Sequence, residues 1–478
     1  MSTVSSTPSD LALAPDVRLQ LWQRLATEIE RYQRQIAGAR VAPVLDPMAL
    51  RQALAAFDFN SPLPPLEAVA AAVGGMWEQQ VHTPHPRYFG LFNPAPTTMG
   101  IVADALVAAF NPQMAAWSHN PFATEVERHL VHALGARFGY PADCMDGVFC
   151  SGGAEANHTA LLTALTHTFP VFARGGVRAL PAPPTVYVSQ LSHDSVRKAA
   201  RLCGLGTDCV RALEVDANLR LAPATVAAAI ARDRAAGAHP AFLVATAGAT
   251  STGVIDPLAE LAALAAAQGL WFHVDAAWGG FAALLPELRA AVTGLERADS
   301  ITFDAHKSLS VPMGAGIFLT RHPDILSRTF RVAADYMPRD ADGVSEAVAD
   351  PFAHSMQWSR RFIGLKLFLS LAVAGWSGYE AALRHQVAMG DYLRQQAQVQ
   401  GWRVVNSTPL PLACLAHERT DIEATVRAVV ASGEAWISAV RLPGDLSAVR
   451  ACITNYRTQP ADVDALLASL ARHRVVKR

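Results

Sequence analysis

Apolar runs of strand-forming residues alternate with alanine-rich helical segments through the middle of the chain. Segments 223–237 and 258–269 carry apolar residues at helical spacing. The strand-like runs lie at 185–189, 209–215, 241–246, 270–275, 300–304 and 316–320. Repeated strand–helix–strand order is typical of a mainly parallel sheet that helices cover on both faces. The pattern therefore predicts an α/β fold.

The N-terminal end of the chain has a helical pattern. Apolar residues recur at helical spacing over 18–36, 63–80 and 98–112. Prolines and aromatic residues over 82–97 exclude a regular element there, so we expect a long loop held in place by packing.

The C-terminal end combines helices with short strands. Helices are expected over 360–397, followed by strands at 404–407, 436–442 and 449–454. The three patterns divide the chain into an N-terminal helical segment, a large α/β domain and a small α+β domain, over 1–95, 96–374 and 375–478.

Charge and cysteine spacing narrow the possible partners. The 478 residues include 40 basic and 41 acidic side chains, so nothing electrostatic favours nucleic acid or an anionic membrane, and a small-molecule ligand is expected. Without an apolar membrane span or a signal peptide, the protein is expected to be soluble and cytoplasmic. No metal-site spacing is present. We interpret the six cysteines as reduced core thiols: Cys144, Cys150, Cys203, Cys209, Cys414 and Cys452.

Asp275 stands at the end of an expected strand, where the ligand site of an open parallel sheet lies. An aspartate there is often only a turn residue or a helix cap. The small neighbours Ala276 and Ala277 would also let a flat ligand lie close to the backbone. The segment is therefore compatible with a buried carboxylate that faces a planar cation.

Lys307 follows the strand at 300–304 within a few residues. A lone lysine is usually a solvated surface residue. The surroundings of Lys307 are apolar and tightly turned, and desolvation disfavours the ammonium form, which makes an amine available as a nucleophile for a carbonyl group. Lys307 is thus a candidate Schiff-base lysine.

The segment 148–162 places a glycine pair at the start of a helical pattern, with Ser151 and Glu155 nearby. This arrangement could be simple helix capping. A glycine-rich helix entry also exposes backbone N–H groups that suit a phosphate. A Schiff-base lysine, a carboxylate for a pyridinium nitrogen and a phosphate-binding helix end together describe a site for pyridoxal phosphate.

These residues resemble the group II pyridoxal-phosphate-dependent amino acid decarboxylases, which include aromatic L-amino acid and glutamate decarboxylases. The resemblance covers about residues 80–460. Its most specific motifs are HVDAAWGG and DAHKSLSVPMGAG, at 273–280 and 304–316, with support from motifs at 85–90, 151–157, 358–366 and 450–458. It implies a fold-type I homodimer with active sites at the subunit interface.

The resemblance also implies roles for single residues. Lys307 would hold the coenzyme as a Schiff base, and Asp275 would pair with its pyridine nitrogen. His193 and Ala277 would lie against opposite faces of the ring. The remaining expected contacts of the coenzyme are Gly153, Ala154, Thr250 and His306. Asn455 and Arg457 belong to a matching motif but receive no chemical role.

One departure from the family leaves the product open. Family members often have a loop tyrosine that helps to protonate the substrate carbon, and this chain has no tyrosine between Tyr336 and Tyr379. Tyr336 or His354 could replace that acid. Otherwise the carbanion could meet oxygen, and a decarboxylation-dependent oxidative deaminase would form an aldehyde, ammonia and peroxide in place of the amine.

The substrate and the class of protein also remain open to alternatives. Trp117 matches the aromatic branch, whereas Arg87 could meet an acidic side chain or form a structural ion pair; an aromatic L-amino acid is favoured. An aminotransferase or a carbon–sulfur lyase would share the fold type. A non-catalytic sensor of pyridoxal phosphate would need a DNA-binding or partner module, which the residues before the matched region do not indicate.

Overall fold

A seven-stranded sheet forms the centre of the molecule in the computed structural model, which describes residues 11–90, 94–332 and 348–477. Its spatial order is β1-β7-β6-β5-β4-β2-β3. Strand β7 runs antiparallel to both its neighbours and the other pairs are parallel, which confirms the mainly parallel sheet. The strands are β1 (Asp146–Cys150), β2 (Pro184–Ser189), β3 (Val210–Leu213), β4 (His239–Thr246), β5 (Trp271–Asp275), β6 (Ser300–Asp304) and β7 (Gly316–Thr320).

The α-helices surround this sheet and continue into both ends of the chain. In chain order they are α1 (Pro15–Gln35), α2 (Pro47–Ala55), α3 (Pro65–Glu78), α4 (Thr98–Phe110), α5 (Pro121–Phe138), α6 (Gly153–Thr168), α7 (Phe172–Gly175), α8 (Ser195–Leu202), α9 (Pro223–Ala235), α10 (Leu258–Gln268), α11 (Ile325–Phe330), α12 (Pro351–His354), α13 (Leu365–Val399), α14 (Ile422–Ser432) and α15 (Pro460–Arg472). None of the helices within the described ranges is long and apolar enough to cross a membrane.

Alternate residues of each central strand enter separate cores on the two faces of the sheet. In β4, Leu243 and Ala245 pack into the core formed with α5, α9 and α10. Their neighbours Phe242 and Val244 pack into the core formed with α6, α8 and α11. Because both faces are buried, the strands read as continuous apolar runs. The carboxyl ends of β4, β5 and β6 therefore open at one edge of a rigid sheet.

A second sheet of four antiparallel strands lies in the C-terminal part, in the order β10-β11-β9-β8. Its strands are β8 (Arg403–Val404), β9 (Leu412–Ala416), β10 (Ser438–Leu442) and β11 (Leu446–Cys452). Helix α13 leaves helical geometry at Gly375, whose φ is 64°. The domain boundaries remain a prediction, and this kink supports the one at 375.

Several elements differ from the predictions. Strands β1 and β9 and helices α2 and α5 were not predicted, whereas the strand expected at 404–407 spans only Arg403–Val404. The six cysteines form no disulfide, but Cys144 is exposed and Cys203 and Cys209 are half-buried. The expectation of core thiols was therefore wrong for Cys144, which lies in the turn before β1, whereas Cys203 and Cys209 pack at the edge of the core formed with α6, α8 and α11.

Candidate active site

A small cavity opens at the carboxyl ends of the central strands. The expected site residues that line it come from β5, from the turns after β4 and β6, from the start of α6 and from the loop after β2. They are Gly153, Ala154, His193, Thr250, Asp275, Ala277 and Lys307. The fold thus brings together residues that are far apart in the sequence, at the edge where parallel sheets bind ligands.

Lys307 lies in the turn that follows β6, and its side chain is 19 % exposed. Its Nζ is 2.9 Å from Oδ2 of Asp304, the last residue of β6. The carboxylate of Asp304 is buried, and its second oxygen, Oδ1, accepts no hydrogen bond within the described part of the chain. The lysine amine is therefore held in the cavity beside a buried negative charge.

Asp275 ends β5 and is 6 % exposed. Its Oδ2 accepts a hydrogen bond from Asn157 Nδ2 at 2.9 Å, and its Oδ1 accepts one from the backbone N–H of Ala277 at 3.2 Å. Two donors behind the carboxylate fix its orientation. The carboxylate can accept a further proton donor from the cavity.

Helix α6 begins at the cavity, and the residue before it, Gly152, provides no side-chain cap. The carboxylate of Glu155 instead accepts hydrogen bonds from the backbone N–H and the hydroxyl of Ser151, at 2.8 and 2.6 Å. A Cβ at Gly153 would lie 2.9 Å from Asp304 Oδ2, so a larger residue at this position would require the Asp304 side chain to shift. The backbone donors of the first turn point to an anion site.

The loops around the cavity are tied together by hydrogen bonds. The backbone N–H of Ser195 donates to His193 Nδ1 at 3.2 Å, which orients the exposed imidazole at the cavity. The buried Arg450 donates from Nε to Thr250 O at 2.7 Å and from Nη1 to Gly90 O at 2.6 Å. Through these bonds the C-terminal sheet positions the loop that carries Thr250.

His306 is buried next to the helix start but does not line the cavity. Its Nδ1 accepts a hydrogen bond from Ala315 N at 3.1 Å, and its Cε1 is 3.6 Å from where a Cβ of Gly152 would be. Burial lowers the pKa of His306 below its usual value, so the ring is neutral near pH 7. It supports the turn before α6.

The family model for the pyridoxal-dependent decarboxylase conserved domain matches residues 64–416. The chain belongs to the pyridoxal-dependent decarboxylase family. It is a pyridoxal phosphate-dependent amino acid decarboxylase of fold type I, as the resemblance implied.

Relatives of this decarboxylase agree on the reaction class and differ in substrate. It is 28 % identical over 461 residues to the aromatic-L-amino-acid decarboxylase of Bacillus atrophaeus, covering 94 % of each chain. It is 32 % identical over 433 residues to the tyrosine decarboxylase of rice, covering 87 % of this chain and 80 % of the relative. Other relatives are named for L-2,4-diaminobutyrate, aspartate and cysteine sulfinic acid.

A solved structure supports the fold of this decarboxylase. The structure of Oryza sativa TDC with PLP and tryptamine superposes with a TM-score of 0.89 at 24 % identity, covering 96 % of this chain and 98 % of that one. The residues of the cavity also fit the coenzyme. An amine, a carboxylate and an uncapped helix start surround one space, and Asp304 Oδ1, which accepts no hydrogen bond from the described residues, leaves room for a further polar contact.

Other residues singled out in the sequence lie outside the cavity. Trp117 donates from Nε1 to Glu125 at 2.9 Å, and the backbone N–H of Arg87 donates to His85. His354 lies 3.9 Å from Asp146, at the opposite end of β1 from the helix start. Tyr336 falls outside the described residues.

The motif that contains Asn455 and Arg457 has a structural position in this decarboxylase. Asn455 donates from Nδ2 to Pro84 O at 2.9 Å, and Arg457 bonds Gln33 of α1. These contacts hold the loop predicted at 82–97 and the N-terminal helices against the C-terminal part.

Sequence reasoning missed five lining residues of the decarboxylase: Asn157, Thr246, Gly248, Trp278 and Asp304. Asn157 could have been found, because it is four residues after Gly153 and so lies on the same face of α6. Asp304 begins the motif at 304–316 but received no role of its own. Thr246 ends β4, whereas Gly248 and Trp278 follow β4 and β5, and none of the three carries an individual signal.

Proposed function

We propose that this decarboxylase converts an aromatic L-amino acid to the corresponding amine and carbon dioxide, with Lys307 as its Schiff-base lysine. The observation that carries the proposal is the meeting of the Lys307 amine, the Asp275 carboxylate and the uncapped start of α6 in one cavity. Pyridoxal phosphate, when bound, supplies a ring that accepts the electron pair left as the Cα–carboxylate bond breaks.

The residues that line the cavity have separate roles toward the coenzyme. Lys307 would hold the coenzyme aldehyde until the substrate amine takes its place, and Asp304 Oδ2, which lies 2.9 Å from Nζ, would accept a hydrogen bond from the released side chain. Asp275 would hold a proton on the ring nitrogen, and His193 and Ala277 would confine the ring from its two faces.

The phosphate contacts come from backbone and hydroxyl groups. The first-turn N–H groups of Gly153 and Ala154 would bind the phosphate, and Thr250 would contribute a hydroxyl near the coenzyme. His306 lies behind this turn and keeps it in place.

The composition of the cavity supports an apolar or aromatic side chain on the substrate. Among the lining residues in the described ranges, the only lysine or arginine is Lys307, and Trp278 adds an aromatic ring. An acidic substrate would need a second cation to pair with its side-chain carboxylate. The relative that spans 94 % of this chain is named for aromatic amino acids.

A panel of L-amino acids tests the substrate and the product together. The purified enzyme is incubated with aromatic, acidic and basic amino acids while carbon dioxide, amine, aldehyde and peroxide are measured. We expect equal amounts of carbon dioxide and amine from an aromatic substrate and no peroxide. Faster turnover of aspartate or glutamate would contradict the substrate class.

The sequence between Tyr336 and Tyr379 supports a second candidate, because it has no tyrosine to protonate the substrate carbon. In that case one oxygen molecule and one water are consumed for each amino acid, which gives aldehyde, carbon dioxide, ammonia and hydrogen peroxide. The same panel identifies this outcome by peroxide equal to carbon dioxide and no amine.

We further propose that the active unit is a homodimer. Helix α1 exposes Leu19, Trp22 and Leu25, spaced three residues apart on one face, and α4 exposes Leu106 and Phe110. Exposed apolar faces of this kind mark protein–protein contacts. A second copy of the chain is the partner that the family resemblance implies.

A further inference from the structure

A chain of buried hydrogen bonds runs behind Asp275, away from the cavity. Trp271 Nε1 donates to Ser300 Oγ at 2.9 Å, and that oxygen lies 2.8 Å from His273 Nδ1. His273 Nε2 is 3.0 Å from Asn157 Oδ1. Asn157 Nδ2 in turn donates to Asp275 Oδ2. The chain therefore connects strands β5 and β6 to the carboxylate through helix α6.

The residues at the two ends of this series of hydrogen bonds determine which group donates in each bond. An indole N–H can only donate, and an ionised carboxylate can only accept. Asn157 donates from Nδ2 to Asp275, so its Oδ1 accepts, both from the Thr302 hydroxyl at 2.7 Å and from His273 Nε2. A neutral ring with its proton on Nε2 has an acceptor at Nδ1, so the Ser300 hydroxyl donates to it.

The buried surroundings of these residues allow only one assignment of hydrogen-bond donors and acceptors. His273, Ser300 and Thr302 have no exposed surface, and burial lowers the pKa of His273 to about 4, so the ring is neutral near pH 7. A flipped Asn157 amide would set its oxygen against the Asp275 carboxylate and its N–H group against the donors behind it. Both contacts would be repulsive.

We propose that His273 is a positioning residue for the coenzyme: through Asn157 it fixes the amide donor that aims the Asp275 carboxylate at the ring nitrogen. The inference rests on the proposed function in one respect, the pairing of Asp275 with the coenzyme ring. The Ala277 N–H holds the other carboxylate oxygen at 3.2 Å, so both oxygens are oriented before the coenzyme binds. His273 acts without touching the coenzyme.

Two substitutions at His273 test the proposal. His273→Phe keeps a flat ring, which can stack on Phe242 as His273 does, and removes the donor. His273→Gln restores an amide N–H near the Nε2 position. The apo protein of each variant is titrated with pyridoxal phosphate to obtain its dissociation constant, and the 15N chemical shift of the bound ring nitrogen is recorded.

We expect His273→Phe to weaken coenzyme binding at least roughly tenfold, the scale on which outer hydrogen-bond partners act, and to shift the ring nitrogen toward its unprotonated value. His273→Gln should recover most of both. If the Phe variant does not fold, Thr302→Val removes the second donor to Asn157 Oδ1 with little change in volume and should shift the ring nitrogen in the same direction.

Wild-type affinity and a wild-type nitrogen shift in His273→Phe, or in Thr302→Val if that variant has to replace it, would overturn the inference. Failure of the proposed function would look different. In that case the wild-type protein itself would show no protonated ring nitrogen or no coenzyme bound to Lys307.

Discussion

The carboxylate of Asp275 and the amine of Lys307 are the residue-scale centre of the site. Neither residue was decisive alone in the sequence, since an aspartate at a strand end is often a turn residue or a helix cap and a lone lysine usually lies at the surface. The strand ends made them candidates, and the fold places both in one cavity. The Asn157–His273 contact could not be predicted in this way, because it joins residues 116 positions apart.

Replacing Asp275 with asparagine tests the residue that faces the ring. Asp275→Asn keeps the size of the side chain and its contact with Asn157, so we expect coenzyme to stay bound. Turnover should fall roughly 100-fold or more, because an unprotonated ring is a poor electron acceptor and proton placement commonly contributes on this scale. Steady-state rates with bound coenzyme measured by absorbance check this, and full activity would refute the role of Asp275.

His273 also links the buried network to acid stability. Burial depresses its pKa in the folded state to about 4, below the value of 6.5 in an unfolded chain. The unfolded chain therefore binds the proton more tightly, and the stability from the neutral ring is present above pH 6.5 and lost as the pH falls toward 4.

Between pH 6.5 and 4, we expect the free energy of unfolding of the wild type to fall by up to about 3 kcal/mol more than that of His273→Gln. Denaturant unfolding at several pH values measures the difference. Parallel curves for the two proteins would show that His273 is not buried in neutral form.

At the scale of elements, the turn before α6 depends on close packing against β7. A Cβ on Gly316, the first residue of β7, would lie 2.5 Å from both Cα and the carbonyl carbon of Gly152. No real structure tolerates that distance, so Gly316→Ala must displace the turn that starts the helix. The phosphate site and the strand edge are one packed unit.

We therefore expect Gly316→Ala to weaken coenzyme binding roughly tenfold and to destabilise the fold by about 1–3 kcal/mol, the usual cost of overpacking. Gly38→Ala is the matched control, since its Cβ would meet nothing within 4 Å. Coenzyme titration and thermal unfolding of both variants provide the comparison. Equal affinities would contradict the packing of β7 on the turn.

Elements whose apolar residues recur at a regular spacing were predictable from the sequence, and elements without such a spacing were not. Strands β5, β6 and β7 and helices α9 and α10 follow buried runs and alanine-rich helical spacing. Strand β1 begins with Asp146 and Gly147, which favour turns, and β9 (LACLA) has an apolar run that a helix could also use. Tertiary packing, and not the local sequence, determines that β1 and β9 are strands.

At the scale of the whole molecule, the exposed apolar face of α1 needs a partner. Leu19→Glu with Trp22→Glu should convert a dimer to a monomer, because two buried charges without partners oppose association. Sedimentation velocity measures the change. Val399→Glu, on an exposed residue at the end of α13, is the matched control and should leave the assembly intact. A double variant that sediments like the wild type would refute the α1 interface.

The chain has only four lysines, Lys198, Lys307, Lys366 and Lys477, so the coenzyme attachment can be mapped without ambiguity. Lys366 is an internal control, since it too is buried but is bonded to Asp104 and to the carbonyl oxygens of Pro312 and Met313. The holoenzyme is reduced with borohydride, digested and analysed by mass spectrometry. We expect a pyridoxyl group on Lys307 alone and none in Lys307→Ala; an unmarked Lys307, or a mark on any other lysine, would contradict the proposed site.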